Sequence, residues 1–473
     1  MAIVRRCSGE VFFPPWGGFE SRPDRSRARN ADSLHHTCQM KSRLRFNVPL
    51  SMRRTGIVLT GTLVGQGSLM LASPLVTRLY APEQLGALAV FTSVAAVLGT
   101  LSLLRLDSVI LLPRSERAAV SAVALAVSAS TVIGIFLAVL GLVVAAPLAE
   151  RMNAPDLRAQ WPLLCVTVVL IAFAQILGSW LGRRGDYTGL GIRAGAQGLG
   201  QTVTQLVSGI FGATTTGLLA SLGAGYALSL GGMTGRGGLA KRPKPRLRLM
   251  VGVLSRYRRF PLVFSWSALL NSVGQHAPLV IVSALFGQLE VGLFALCIRV
   301  LASPVAVIGQ ALGKVFQAES AEDIRNATPA LHRRVRHTAV LLAGCASPLV
   351  IAVLLFGPQL FSVAFGNPWA VAGEYARYLV LSYLLQFIAS PLSSLLLLTE
   401  SQGVQLSWDI SRTMLVIVAP LVVHESGGDA QAVIMAIATS QGLMYGLLLM
   451  LCLRSARVHD RACFEAKSRE AVS

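Results

Sequence analysis

The stretch AAVSAVALAVSASTVIGIFLAVLGLVVAAP, from Ala118 to Pro147, contains no charged and no amide side chain. In hydrocarbon every backbone N–H and C=O must be satisfied within its own segment, and about 20 residues of helix cross a core of about 30 Å. So long and apolar a run is therefore a transmembrane helix, with enough surplus to tilt or to project beyond the lipid. The same ruler applied outward from it finds eleven more spans: Thr55–Thr77, Gln84–Leu104, Gln160–Gly182, Tyr187–Ile210, Thr214–Gly235, Phe260–Leu285, Leu289–Gly313, Thr338–Gly357, Tyr378–Thr399, Val404–Val423 and Ala430–Leu453. The expected fold is an all-α polytopic membrane protein of about twelve transmembrane helices, with both termini on one side.

Composition agrees. The 473 residues are 53% hydrophobic and only 14% charged, where soluble domains carry about 25%. The net charge of +20 raises the question of nucleic acid, but such binders gather Lys and Arg on one soluble face, whereas here they separate long uncharged runs. Seven scattered cysteines without a CxxC suggest neither a disulfide framework nor a zinc site.

The basic residues alternate sharply from loop to loop. Loops 105–117, 183–186, 236–259, 314–337 and 400–403 and the tail after Leu453 hold 24 Lys/Arg; the intervening loops hold four: Arg78, Arg151, Arg158 and Arg377. Positive charge is retained on the cytoplasmic side during insertion, so both termini are expected there. Residues 1–54 form a basic tail without an apolar signal core, and Met40 is an alternative start. Residues 236–259 hold nine Lys/Arg and no acid, and read as a cytoplasmic linker resting on anionic lipid headgroups. It divides an N-lobe (55–235, helices 1–6) from a C-lobe (260–453, helices 7–12), before a cytoplasmic tail at 454–473. A weak repeat supports the division: Ser73-Pro-Leu-Val and Leu79-Tyr-Ala-Pro-Glu83 are echoed by Ala277-Pro-Leu-Val and Leu285-Phe-Gly. Repeated bundles are a common plan for transporters, with the substrate between the repeats.

Polar residues recur inside the spans at helical spacing. Arg193, Gln197, Gln201 and Gln205 follow one flank of the fifth helix; Ser267, Asn271 and Gln275 one face of the seventh; Arg299 and Ser303 lie on the eighth, Thr62 and Gln66 on the first, and Gln405, Asp409 and Arg412 on the eleventh. Such groups cost several kcal/mol against hydrocarbon, so they face protein or water. Asp409 and Arg412 are placed to satisfy each other. Arg299 has no carboxylate within a turn of its helix, so it either pairs across the bundle or meets an anion in a hydrated cavity. Gly61-x-x-x-Gly65 and Gly442-x-x-x-Gly446 permit close helix contact. No phosphate loop, HExxH or GxSxG occurs.

Two blocks carry a resemblance. Gly61-Thr-Leu-Val-Gly-Gln66, Leu71-Ala-Ser-Pro74 through Leu79-Tyr80-Ala-Pro82-Glu83-Gln-Leu-Gly86, and Leu104-Arg105-Leu-Asp107 with Leu112-Pro113-Arg114 form the first. The second comprises Arg256-Tyr257-Arg-Arg-Phe260-Pro261, Asn271-Ser272, Phe286-Gly287, Val291-Gly-Leu-Phe-Ala295 and Arg299-Val300. Together they resemble the oligosaccharide flippase family (Wzx-like, polysaccharide transporters). The likeness spans roughly Thr55 to Glu319; the last four helices agree in hydropathy only. It implies the two-lobed architecture of multidrug-and-toxin exporters and translocation of undecaprenyl-diphosphate-linked repeat units across the bacterial inner membrane. A polysaccharide polymerase and a chain-length regulator would be further partners, with no cofactor and with H+ or Na+ as coupling ion. Where the family pattern has an aromatic residue followed by Glu, this chain has Leu106 and Asp107.

The chemistry of that substrate suits these residues. A diphosphate calls for Arg, whose fork binds phosphate oxygens bidentately, and sugar hydroxyls call for amides. Arg299, Arg105 and Arg193 are the expected anion contacts. Gln66, Asn271, Gln275, Gln197 and Gln201 are the expected sugar contacts, and Asp107 and Asp409 the carboxylates placed for ion coupling. A multidrug-type antiporter for cationic drugs would need an acidic cavity. A membrane glycosyltransferase or polymerase would need a roomy outer loop, but the longest outer connection, about 357–377, holds Glu374 as its one acid.

Overall fold

The computed structural model describes residues 50–231, 245–326, 328–399 and 401–470. The tail at 1–49 and the linker residues 236–244 lie outside the described residues. The described chain is helical: α1 (Leu50–Leu79), α2 (Pro82–Leu103), α3 (Leu106–Val109), α4 (Glu116–Arg151), α5 (Pro155–Ala159), α6 (Trp161–Arg184), α7 (Tyr187–Ile210), α8 (Thr215–Gly231), α9 (Leu247–Arg256), α10 (Ser265–Phe286), α11 (Gln288–Arg325), α12 (Leu331–Phe365), α13 (Ala370–Leu392), α14 (Ser394–Leu398), α15 (Gln402–Glu425) and α16 (Ala430–Glu470). Over its described residues each of the twelve expected spans falls on one long helix, except the seventh, which enters α10 through a π-helical turn at Phe260–Phe264, and the tenth, which falls on α13 and α14 split by a break at Ser393. Among the described residues, nine helices are long and apolar enough to cross a membrane.

Two bundles result. In the first, α1 packs on α7, α7 on α8, α4 on α6, and α6 on α2 and α8; in the second, α10 packs on α15, α11 on α13, α12 on α13, and α16 on α13 and α15. They meet where α2 lies against α10 and α11. With no hydrophobic driving force between helices in lipid, close approach depends on small residues. The Gly61/Gly65 pair serves this purpose: a Cβ on Gly61 would sit 2.0 Å from the Gly191 carbonyl oxygen, and one on Gly65 2.4 Å from that of Ala194. The Gly442/Gly446 pair does not, since a Cβ at Gly442 would make ordinary contact with Ser382 at 3.7 Å and one at Gly446 would meet open space.

Several helices outrun the bilayer. At 1.5 Å per residue, α16 is about 60 Å long and α11 about 57 Å. The basic stretch 314–337, expected as a loop, instead continues α11 and α12 as helix on either side of a tight turn. Part of its charge is satisfied locally. The Arg334 Nε donates to Asp323 at 2.5 Å and its guanidinium also pairs with Glu319, while the Leu331 and His332 amides donate to Asp460 on α16 at 3.1 and 3.0 Å. Asp460 thus caps the first turn of α12, where amides lack helical partners. The expected outer loop at 357–377 is likewise mostly helix: α12 runs to Phe365 and a single 3-10 turn, Asn367–Trp369, leads into α13.

Candidate substrate cavity between the lobes

The α2 helix builds the site. Leu85, Leu88, Ala89, Thr92, Ala96, Gly99, Thr100 and Leu103 recur every three or four residues and so form one face, which looks across at the second bundle. Its middle is small or hydroxylated, which leaves room. Two cavities follow this face and share Thr92 and Leu222: one of about 270 Å³ ending at Arg299, and one of about 500 Å³ reaching Arg105 and Asp107. From Leu88 to Leu103 the rise of the helix makes the path about 22 Å long.

At one mouth the chain leaves α2 through two successive left-handed residues, Leu104 (φ 46°) and Arg105 (φ 56°). That conformation costs non-glycine residues roughly 1–2 kcal/mol each and concentrates at functional positions. Its result here is to turn Arg105 outward, exposed, beside Asp107 on the one-turn helix α3. One carboxylate oxygen of Asp107, Oδ1, is buried without a hydrogen-bond partner. Burial raises the Asp107 carboxyl above its usual range, with the Arg105 charge pulling the other way. Across the cavity, α10 presents Asn271, Ser272, Gln275 and His276. Gln275 Nε2 donates to Asn271 Oδ1 at 3.2 Å, and Thr100 of α2 reaches Ser272 at 3.4 Å.

At the far end stands Arg299, on α11. Its Nη2 donates to the Leu69 carbonyl on α1 at 3.0 Å, and among the described residues no carboxylate lies within ion-pairing distance of it. The same Leu69 carbonyl accepts a second bond, from Ser73 Oγ at 2.9 Å. Gln201, Ser73, Thr77 and Thr92 share this chamber with Arg299.

Arg193 sits one layer back. Its Nη1 donates to the Ala174 carbonyl at 3.2 Å, its guanidinium lies against Gly178, and Nε is buried without a partner. Tyr226, which lines the larger cavity, is hydrogen-bonded to Gln197 and interacts electrostatically with Arg193. Gln66 is exposed and lines neither cavity. Asp409 is also outside both: Gln405 hydrogen-bonds to it, and Arg412 lies over the rings of Trp408 and Tyr445, 5.6 and 5.5 Å from their centroids. Aromatic faces, rather than an ion pair with Asp409, hold that buried guanidinium. Of the expected site residues, the structure thus brings Arg299, Gln201, Arg105, Asp107, Asn271 and Gln275 to one path. It adds residues that spacing alone did not single out: Thr92, Thr100, Gln175, Tyr226, Ser272 and His276. Gln175, alone in the apolar helix α6, carried the clearest signal among them.

The other end of the path is closed. A Cβ on Gly86 would lie 2.0 Å from the Gln288 carbonyl oxygen and one on Gly292 2.0 Å from that of Pro82, so α2 and α11 touch backbone to backbone. Ser283 Oγ donates to the Met152 carbonyl at 2.7 Å, Asn153 Nδ2 to that of Ala284 at 3.1 Å, and buried Trp369 Nε1 to that of Thr77 at 3.3 Å. All these contacts join the two lobes at the end poor in Lys and Arg. The larger cavity opens at the basic end.

Two helical lobes thus flank a polar path, and α2 and α11 close on each other at its end poor in Lys and Arg. A family model described as "Polysaccharide biosynthesis protein" matches residues 75–374, and the chain belongs to that family. It is 25% identical over 351 residues to the succinoglycan biosynthesis transport protein ExoT of Rhizobium meliloti (strain 1021); the match covers 71% of this chain and 66% of that protein, just under two thirds of its length. In fold it is similar to the lipid II flippase MurJ in an inward closed conformation (TM-score 0.66, 10% identity, 87% of this chain and 92% of that one). It is also similar to an inward-facing MATE family multidrug resistance transporter of the MOP superfamily (TM-score 0.64, 16% identity, 88% and 99%).

Proposed function

We propose that this protein is a flippase that moves a lipid-linked oligosaccharide across the bacterial inner membrane for surface polysaccharide assembly. The observation that carries the proposal is Arg299, a half-buried guanidinium with no carboxylate partner among the described residues, at the inner end of an amide- and hydroxyl-lined path. A lone cation there is costly unless an anion joins it, and Arg presents a fork matched to phosphate oxygens. A polyprenyl-diphosphate glycan has both the anion and the hydroxyls. Arg105 at the mouth would capture the diphosphate and Arg299 would receive it, while Asn271, Gln275 and Gln201 replace water around the sugars. Arg193 and Gln197 would act from the second layer. The prenyl tail stays in lipid.

Closure at one end and opening at the other is one half of an alternating-access cycle, with the basic, open end facing the cytoplasm, together with both termini. Asp107, partly buried at the mouth, is the first candidate for coupling to H+ or Na+; Asp409, outside the cavities, is the second. Charge disfavours a cationic drug as cargo, since the acidic and basic groups along the path, Tyr226 apart, are two Arg, one His and a single Asp. The transporter would work beside a polysaccharide polymerase and a chain-length regulator.

The test is a deletion strain carrying no redundant transporter. Loss of surface polysaccharide, with lipid-linked repeat units accumulating on the inner leaflet and restored by the wild-type gene, is expected. Normal surface polysaccharide in that strain overturns the proposal.

A further inference from the structure

A second polar-rimmed cavity lies outside the central path. It occupies about 440 Å³ between α11 and α12 at the basic end, where Leu312, Val315, Phe316 and Leu341 line its apolar part and Arg333, Arg334, His337 and Thr338 its rim, with Glu319. The groove exists because α12 lies more against α13 and α16 than against α11, its partner in sequence.

Its height and its chemistry both bear on what fills it. The apolar part of α11 ends near Gly313 and that of α12 begins near Thr338, so the rim stands where hydrocarbon gives way to headgroups. Val315 is 42% and Leu341 47% exposed, which leaves the apolar part open toward lipid. The charge of Arg334 is engaged by Glu319 and Asp323. Arg333 makes no such pair among the described residues, and His337 stands one turn along on the same face of α12. A cation and an imidazole above an apolar slot complement one phosphodiester above one acyl chain; basic pockets between transmembrane helices recognise anionic lipids in this way.

We infer that the α11–α12 groove binds a glycerophospholipid with an anionic headgroup, drawn from the leaflet at the basic end. The bound lipid would brace the end of α11, the helix whose opposite half carries Arg299 to the substrate path. This site is independent of the cargo assigned to the central cavity.

Native mass spectrometry of the delipidated full-length protein, titrated with dioleoylphosphatidylglycerol or dioleoylphosphatidylcholine, tests the inference. The wild type is expected to retain one tightly held phosphatidylglycerol, with the choline lipid at least tenfold weaker. Arg333→Gln/His337→Gln, which removes the rim's basic groups other than Arg334, and Leu341→Trp, which fills the slot, should each lose that one lipid at unchanged melting temperature. Arg151→Gln/Arg158→Gln, basic but at the opposite end of the bundle, should keep it. Equal retention of the two lipids, or equal phosphatidylglycerol retention by the wild type and both groove variants, overturns the inference. So does displacement of phosphatidylglycerol by a lower concentration of polyprenyl phosphate, because the groove would then belong to the carrier lipid.

Discussion

Arg299 Nη2 and the Leu69 carbonyl oxygen, 230 residues apart in the chain, are 3.0 Å apart across the interface of the two lobes. One donor of the guanidinium is used on a neutral oxygen and its charge is left uncompensated. The bond positions the side chain without neutralising it, which is the arrangement an anion-binding group requires.

Arg299→Ala should therefore slow transport while leaving insertion intact. Charge-assisted hydrogen bonds contribute roughly 1.5–3 kcal/mol, so a loss of about 10- to 100-fold in flipping rate is expected. Arg299→Lys should fall between, because an ammonium keeps the charge but not the fork. Flipping of lipid-linked oligosaccharide in proteoliposomes measures both, and wild-type rates in the Ala variant would remove Arg299 from the binding site.

The small residues of α2 should be sensitive to bulk. Ala96→Phe places a ring in the middle of the path and is expected to block transport with little loss of stability, since it fills open space instead of a packed core. Comparison of transport and thermal melting in detergent separates plugging from unfolding.

At the closed end, Gly86→Leu and Gly292→Leu should force α2 and α11 apart, because backbone atoms already occupy the space a side chain would need. The population should shift toward opening at this end. A cysteine introduced at Thr92 is expected to react faster with a membrane-impermeant maleimide from that side in either variant than in the otherwise native protein.

Asp107 has a carboxyl raised by burial, so its protonation lies nearer to neutral pH than that of an ordinary Asp. If it couples transport to protons, the wild-type rate should change with pH above the ordinary Asp value of about 3.9, and the Asp107→Asn variant should lack that change. A variant that keeps the wild-type pH dependence would assign coupling elsewhere.

Below the membrane-spanning part, Arg334 holds the Asp323 carboxyl below its usual range. A lowered native pKa stabilises the folded state above the unfolded Asp value of about 3.9, and the contribution is lost as pH falls through the native value. Arg334→Gln should thus lower stability by about 2 kcal/mol at neutral pH. Its melting temperature should converge with that of the wild type as the pH drops below about 4.

Much of this molecule was legible in the one-dimensional chain. The uncharged run from Ala118 to Pro147 had to be a helix, because lipid offers a backbone amide no other partner, and the same constraint located the other eleven. Helical periodicity also grouped Asn271 with Gln275 and Gln197 with Gln201. Periodicity shows which residues share a face of one helix, however, and not what that face meets. Gln66 and Arg299 looked equally placed, yet Gln66 is exposed beside the site and Arg299 stands inside it. Asp409 and Arg412 have ideal spacing for an ion pair, yet the rings of Trp408 and Tyr445 take the guanidinium. The loop at 314–337 looked polar and irregular, yet Asp460, more than a hundred residues on, caps it into helix.

The sequence by itself determined that this chain crosses a membrane many times, where its helices lie and which ends carry positive charge, since these follow from solvation of single segments. Only the tertiary structure decided which polar groups share a cavity, which end of that cavity the helices close, and that no carboxylate among the described residues stands beside Arg299. Those properties depend on contacts between helices distant in sequence, and close packing rather than local preference selects them.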